Sequence, residues 1–424
     1  MTATLPVTSA HAVGTATALR TRSTAEQFRF DAVLGAALGA AASLMTFHHA
    51  ERLSPLLFDT RFIDLWFDAD TAVYVDLMIA RQGEHGATNV HPLLSLMLYP
   101  PVKLLRAALS LPTLQAIRAM LALVAALWAG AMFAVLRLMG CRRADAVVFA
   151  LLALVSAAAM CWLAVPESGA MGSLSILSAV GVLALSQRRP VSPFWYALTS
   201  AFTLGTTVTN WLAGIAISAL AFPRRRALQI TIAAFCLVVI LAAVQKAIFP
   251  TAHWFPGNPE KARFLLHPRA GGPETILKSF MFHTMAMPAI VNAPEKPPQP
   301  QLITQRSAPG SGSMWGRLAV WLWAALLGIG LWAAARGRHA KTVQGVGLIL
   351  LGQLSLHLVF GMETFLHALH FLPLLILLAA FGARTRARPL VLVLGAALIA
   401  CAFINNARIF EQAAAEIARF EQSL

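Results

Sequence analysis

Runs of about twenty apolar residues recur along most of this chain, and nearly every run ends at arginine or lysine. At about 1.5 Å of rise per residue, a helix of that length matches the thickness of a bilayer's hydrocarbon core. The composition leaves few alternatives: 58% of the residues are hydrophobic and 12% are charged, too few polar groups to cover a water-facing surface. The expected fold class is an all-α polytopic membrane protein.

Lys and Arg outnumber Asp and Glu by 33 to 18. Most of these cations flank apolar runs, so membrane orientation accounts for them and no nucleic-acid partner is expected. Cys141, Cys161, Cys236 and Cys401 lie in or beside apolar runs without metal-ligand spacing, which predicts neither a disulfide nor a zinc site.

Placing the basic clusters on one side gives about eleven crossings. Residues 1–29, rich in Thr and Ala with Arg20, Arg22 and Arg29, read as a disordered cytoplasmic tail. Residues 30–405 form the transmembrane domain. The first crossing, near 31–47, runs outward and opens a first extracytoplasmic loop, 48–113, which is broken by prolines and expected to carry interfacial helices. Crossings follow near 114–139, 144–164 and 169–185. The stretch 192–223 has basic residues at both ends and must cross an even number of times, as two short helices with a polar elbow near 207–211.

After a crossing near 228–249 comes a second large outer loop, 250–314. It holds His253, Arg263, His267 and Arg269, a short amphipathic helix near 274–285, a proline run at 294–300, and a Pro-Gly-Ser stretch at 308–313 that reads as a flexible lid or linker. Crossings near 315–334, 343–360, 363–384 and 390–403 complete the domain. Residues 406–424 form an amphipathic helix, with Ile409, Phe410, Ala413, Ile417 and Phe420 on one face, suited to lie in the interface. No internal repeat is visible, which weighs against a transporter built of duplicated halves.

Polar constellations then collect on the outer side: Asp68 and Asp70, Glu167, the elbow near Asn210, and Glu363 with His367 and His370. Ionised groups in the bilayer core are costly, so their shared side is informative. Asp70 has two readings, an N-cap for the Thr-Ala-Val-Tyr-Val run or a catalytic acid, with Asp68 orienting it or binding a cation. His91, before Pro92, either starts a helix or holds a phosphate or orients the acid. Glu363, His367 and His370 fall at i, i+4 and i+7 on one helix face, fit for a lipid phosphate, a divalent metal or plain packing.

Asp70, Tyr74, the His91-Pro92-Leu93 stretch, Arg118, Glu167 in Val165-Pro166-Glu167-Ser168, and His370 in Leu369-His370-Phe371-Leu372-Pro373 occur in an order and sidedness that resembles the GT-C superfamily of membrane glycosyltransferases. Its members include lipid A aminoarabinose transferases and protein O-mannosyltransferases. The resemblance covers roughly residues 30–230 and 363–375. The chain departs from the pattern where Thr71 follows Asp70, where Glu167 replaces the more usual Asp, and where His370 stands in place of Arg.

The resemblance implies an inverting glycosyltransferase that takes a sugar from polyprenyl phosphate and passes it to an extracytoplasmic lipid, glycan or protein acceptor. It implies Asp70 as general base, Glu167 assisting the acceptor or holding a metal, and His370, Arg118 and Lys103 as contacts to the leaving phosphate. Asp68, Tyr74, His91, Glu363 and His367 complete the expected substrate contacts. Mg or Mn at Asp70 and Glu167 is compatible with it, and membrane lipids are the other partners. High Ala, Arg and Leu usage suggests a bacterial inner membrane. A lipid-linked carrier translocase or a non-catalytic assembly subunit of the same fold are the competing readings.

Overall fold

The computed structural model describes residues 10–59, 61–255, 271–293, 299–337, 340–360 and 363–424. In chain order its helices are α1 (Ala10–Arg52), α2 (Thr71–Ile79), α3 (Leu94–Leu109), α4 (Thr113–Leu138), α5 (Arg143–Leu154), α6 (Ala157–Trp162), α7 (Gly169–Ser186), α8 (Pro193–Thr206), α9 (Trp211–Ala221), α10 (Arg224–Ile248), α11 (Gly272–Lys278), α12 (Met314–Arg336), α13 (Lys341–Phe360), α14 (Ala368–Ala380) and α15 (Arg388–Ser423). A two-residue ribbon pairs β1 (Val291–Asn292) antiparallel to β2 (Leu302–Ile303).

Eight segments are long and apolar enough to cross a membrane: α1 from Glu26 on, α4, α7, α10, α12, α13, Thr364–Arg384 around α14, and α15. They make this an integral membrane protein. α14 is the central one, with 89% of its apolar window buried by the others. α1 lies against α4, and Gly35 and Gly39, one turn apart, permit the approach: a Cβ on Gly39 would stand 3.0 Å from the Ala126 carbonyl oxygen. Small residues at such spacing let helix backbones close up where lipid offers no hydrophobic drive for association.

The other three expected crossings are made of shorter pieces. The stretch expected to cross near 144–164 breaks at Ser156, whose Oγ caps α6 through the Ala159 N–H (3.2 Å). The next free N–H groups, of Ala157 and Ala158, donate to the carbonyls of Met285 and Thr284 (3.1 and 3.0 Å). α8 and α9 form an antiparallel hairpin. Tyr196 meets Phe222 at one end (4.9 Å between ring centroids), and the Trp211 indole N–H donates to Ser200 Oγ (3.1 Å) nearer the other. The elbow between them, Thr207–Asn210, is the turn expected from the basic residues at both ends of the stretch.

Those basic ends gather on one face. Arg137 and Arg143 both bind Asp31 (2.9 and 2.5 Å), Arg188 donates to the Arg137 and Leu138 carbonyls (2.6 and 2.9 Å), and Arg388 binds the buried Asp145 (2.8 Å). Arg384 lies beside Gly140. The elbow and the starts of α7 and α14 lie at the opposite end, about 27 Å away along the 18 residues of α7.

Three expectations need correction. α1 begins at Ala10, so helix reaches into the stretch expected as a disordered tail. The terminal amphipathic helix is not separate: α15 continues from the last crossing through 36 residues, about 54 Å, well beyond the hydrocarbon thickness. Asn405 and Asn406 do not interrupt it because their side chains bond sideways, to the Met287 carbonyl (2.9 Å) and to the Val155 and Met285 carbonyls (both 2.8 Å). The apolar face from Ile409 to Phe420 packs on protein, with Phe410 against His49 and Trp66 (4.6 and 5.5 Å between centroids) and Phe420 against Phe62 (5.8 Å).

The stretch expected as a flexible lid, 308–313, is a tight turn. Gly310 takes φ +74°, Ser311 Oγ accepts from the Ala289 N–H (3.0 Å), and Ser313 caps α12. The expected amphipathic helix in the same loop is present as α11, continued by a π-helical turn over Ser279–His283. Arg263, His267 and Arg269 lie outside the described residues, as does the proline run at 294–298.

Candidate active site

Four segments converge at the end of the bundle away from the arginines: α2, the loop before α3, the start of α7, and the start of α14, all against the α8–α9 elbow. Proline decides the second of these. Pro92 cannot donate a hydrogen bond, and the residue before it is driven out of helical geometry, so α3 starts only at Leu94 and His91 sits in a loop. That loop is stitched to the elbow by Leu93 N–H to the Gly205 carbonyl (2.8 Å) and Val208 N–H to the Val90 carbonyl (2.9 Å). Gln245 of α10 closes it from the other side, donating to the Pro92 carbonyl (2.7 Å) and accepting from the Leu96 N–H (3.2 Å).

His91 is buried between α2 and the elbow. Its Nδ1 lies 2.9 Å from the Thr206 carbonyl oxygen and 3.1 Å from Thr207 Oγ1, and its Nε2 lies 3.0 Å from the Tyr74 hydroxyl. Tyr74, also buried, hydrogen-bonds Glu167 and Ser168. Burial, and then the Glu167 carboxyl beside it, hold the Tyr74 phenol well above its ordinary range. Glu167 accepts from the Gly169 N–H (2.5 Å) and from Ser168 Oγ (3.0 Å), at the first turn of α7. Burial raises its carboxyl above the ordinary range, against the opposing pull of those donors.

His370, in the first turn of α14, faces the same place. Its Nδ1 is 3.0 Å from Asn210 Nδ2, and Gln353 Nε2 of α13 donates to Asn210 Oδ1 (3.2 Å). The ring packs flat over α7 because residue 172 is glycine: a Cβ there would come within 2.8 Å of His370 Nδ1 and 2.9 Å of Asn210 Nδ2. Gly172→Ala is therefore expected to lower stability by about 1–3 kcal/mol through overpacking, read as a fall in Tm, whereas Gly347→Ala, with open space around it, should leave Tm nearly unchanged.

The two acids of the first loop part company. Between Arg61 and Asp70 the chain folds tightly on itself, with Asp64, Phe67 and Asp68 at positive φ (62°, 49° and 64°). Each such non-glycine residue costs on the order of 1 kcal/mol, and burial of the Trp66 and Phe67 rings against Phe410, Trp162 and Phe365 offsets it. Asp68 turns toward the second large loop and accepts from Gln301 Nε2 (3.2 Å). Asp70 stands exposed at the N-terminus of α2, where its carbonyl accepts the Val73 and Tyr74 N–H groups (3.0 and 3.3 Å) but its carboxylate makes no capping bond. Its charge is felt at the Tyr74 phenol.

Glu363, His367 and His370 do not share one helix face. A 3-10 turn over Thr364–His367 precedes α14 and turns Glu363 away from the two histidines, whose ring centroids stay 6.2 Å apart. Glu363 turns to the strand segment after β2, accepting from Thr304 Oγ1 (2.7 Å) and from the Thr304 and Gln305 N–H groups (3.3 and 3.2 Å). His367 stacks near His357 (5.3 Å between centroids). The expected phosphate cations also lie apart. Arg118 is buried over the Phe58 ring near Glu51. Lys103 rises over Tyr99, at the lip of an apolar groove of about 410 Å³ between α3 and the end of α10, lined by Leu96, Tyr99, Pro100, Leu104, Ile248 and Phe249. Among the described residues no three His, Cys, Asp or Glu side chains are grouped to hold a metal ion, so the Mg or Mn compatible with Asp70 and Glu167 finds no cluster there.

The structure thus brings Tyr74, His91, Glu167 and His370 together, with His367 beside His370 (6.2 Å between ring centroids) and Asp70 at their edge, and places Asp68 with Glu363, and Lys103 and Arg118, elsewhere. Thr206, Gly172 and Gln353 are residues of the candidate site that sequence reasoning missed. Gln353 left a readable signal, a lone amide inside an apolar run; Thr206 and Gly172 left none, since each matters only through a neighbour distant in sequence. No protein-family model and no curated protein sequence matches this chain.

Proposed function

We propose that this protein is a membrane glycosyltransferase of GT-C type, moving a sugar from polyprenyl phosphate to an extracytoplasmic acceptor. The observation that carries the reading is the convergence of Tyr74, His91, Glu167, Asn210 and His370 at the end of the bundle opposite its arginines, with the Asp70 carboxylate at the rim. By the charge rule the arginine face is cytoplasmic and the site extracytoplasmic. Counting α5–α6 as one crossing and α8 and α9 as two brings the eight long spans to eleven and keeps every basic end on that face.

In this reading the acceptor hydroxyl or amine approaches Asp70, which takes its proton as the acceptor attacks the anomeric carbon. The bond from that carbon to the phosphate oxygen breaks and the electron pair leaves with the phosphate, so the anomeric configuration inverts. The apolar groove beside Lys103 suits the lipid chain. The test is transfer of radiolabelled sugar from a panel of polyprenyl-phosphate sugars by purified protein in lipid, with membrane extract as acceptor. Transfer with inversion is expected; no transfer from any donor by folded protein, or a retained configuration, overturns the reading and favours a carrier or assembly role.

A further inference from the structure

His91 and His370 both use Nδ1 to bind the α8–α9 elbow, but the elbow offers them opposite partners. To His91 it offers the Thr206 carbonyl oxygen at 2.9 Å. A carbonyl can only accept, so His91 Nδ1 carries hydrogen, while its Nε2 faces the Tyr74 hydroxyl at 3.0 Å. To His370 the elbow offers the Asn210 amide, with Nδ2 at 3.0 Å and Oδ1 at 3.1 Å.

Gln353 separates these two possibilities. Its Nε2 donates to Asn210 Oδ1, and all three side chains are buried. If His370 Nδ1 also donated to Oδ1, the fully buried Nδ2 would lose the acceptor it has in the structure, a cost that buried amides do not sustain. With Nδ2 donating to a bare Nδ1, every amide atom of Asn210 is satisfied, and the His370 hydrogen moves to Nε2. That atom faces the start of α7: a Cβ on Gly169 would stand 4.0 Å from His370 Nε2 and 3.2 Å from Glu167 Oε2, so the two groups flank one glycine.

We propose that Asn210, held by Gln353, is a positioning residue that keeps His370 as a neutral Nε2–H donor aimed at an anionic oxygen bound beside Glu167. The proposal rests on the glycosyl-transfer reading only for the identity of that oxygen, the leaving phosphate. His370 donates a hydrogen bond to it and keeps its own proton, while the acceptor's proton goes to Asp70. A neutral donor serves here because its N–H does not depend on pH, whereas a cationic one would have to stay charged among buried neighbours. The titratable groups around the ring are Glu167 at the start of α7, with Tyr74 of α2 against it, His91 before α3, His367 in the turn before α14, and His357 of α13.

Solid-state nitrogen spectra of protein labelled with 15N-histidine, in lipid and assigned by His370→Gln, test the tautomers without any substrate. Wild-type His370 is expected to carry hydrogen on Nε2 and a bare Nδ1, and His91 to carry hydrogen on Nδ1. In Asn210→Asp the carboxylate can only accept, so His370 Nδ1 gains hydrogen and Nε2–H survives only in the imidazolium. That variant should then acquire a new limb in its pH–rate profile, with kcat falling on the order of 10²-fold as pH rises past the imidazolium's titration, the loss expected for one donor to a developing oxyanion. Wild type has no such limb from this group, and a residue with a merely structural role would lower the whole profile without adding one. An Nδ1–H tautomer of His370 in wild type overturns the proposal whether or not transfer is seen. An Nε2–H tautomer in a protein that transfers no sugar leaves the positioning pair intact and overturns the glycosyltransferase reading instead.

Discussion

Asp70→Asn is expected to lower the turnover of sugar transfer by about 10²–10⁴-fold, the range spanned by a lost general base, while leaving the fold in place. At the start of α2, Asp70 acts through its backbone. The carbonyl that accepts the Val73 and Tyr74 N–H groups is unchanged in asparagine, and the carboxylate makes no capping bond that would be lost. Asn is also a good N-cap residue in its own right. The start of α2 should therefore survive the substitution, and turnover and Tm measured on the same preparation separate a catalytic from a structural role. If turnover survives, Asp70 is not the base, and Glu167, within hydrogen-bond contact of Tyr74, becomes the candidate to substitute next.

The second large effect is on stability and its pH dependence, at Glu363. Burial pushes this carboxyl from 4.5 up to about 7, although the Thr304 hydroxyl and the Thr304 and Gln305 N–H groups pull the other way and the Asp68 charge adds to the rise. A carboxyl whose folded value lies above its unfolded one favours the folded state while protonated. That contribution is fully present below pH 4.5 and is lost as pH rises through about 7, a difference worth about 3 kcal/mol. The Tm should accordingly fall between pH 5 and pH 8, and Glu363→Gln, which keeps acceptor capacity without the ionisation, should flatten that part of the curve. Because Glu363 holds Thr304 and Gln305 just after β2, amide exchange at these two residues, corrected for intrinsic rates, should rise over the same interval in wild type only. A Tm that falls equally in wild type and Glu363→Gln would place the titrating group elsewhere.

The metal question is narrower than the sequence left it. Glu363, His367 and His370 have the spacing of a helical ligand face, yet the 3-10 turn before α14 takes Glu363 off to Thr304 and leaves His367 and His370 side by side without it. A period argument presumes an unbroken helix, and the start of α14 is where that presumption fails.

Much of the architecture was nevertheless legible in the residues. Hydrophobic length and the position of arginines report on the membrane, which every segment meets independently, so long runs such as Thr113–Leu138 and Arg224–Ile248 could be read one at a time. The division of the α8–α9 stretch into two short helices at an elbow followed from the same charge count. The sequence also marked Asp70, Glu167, His91, His370 and the elbow as polar groups on one side.

What only the tertiary structure decided is which of these groups meet. Tyr74 and His91 are 17 residues apart, and Asn210 and His370 are 160 apart. Their pairings depend on how α2, α7, α13 and α14 pack around one elbow, and no local pattern encodes that. The same holds for the terminal helix: its apolar face was readable, but that face serves protein rather than lipid because Phe62, Trp66 and His49 arrive beside it from the other end of the chain. Sequence periodicity fixes which residues want to leave water or tolerate lipid; packing fixes the partner they leave it for.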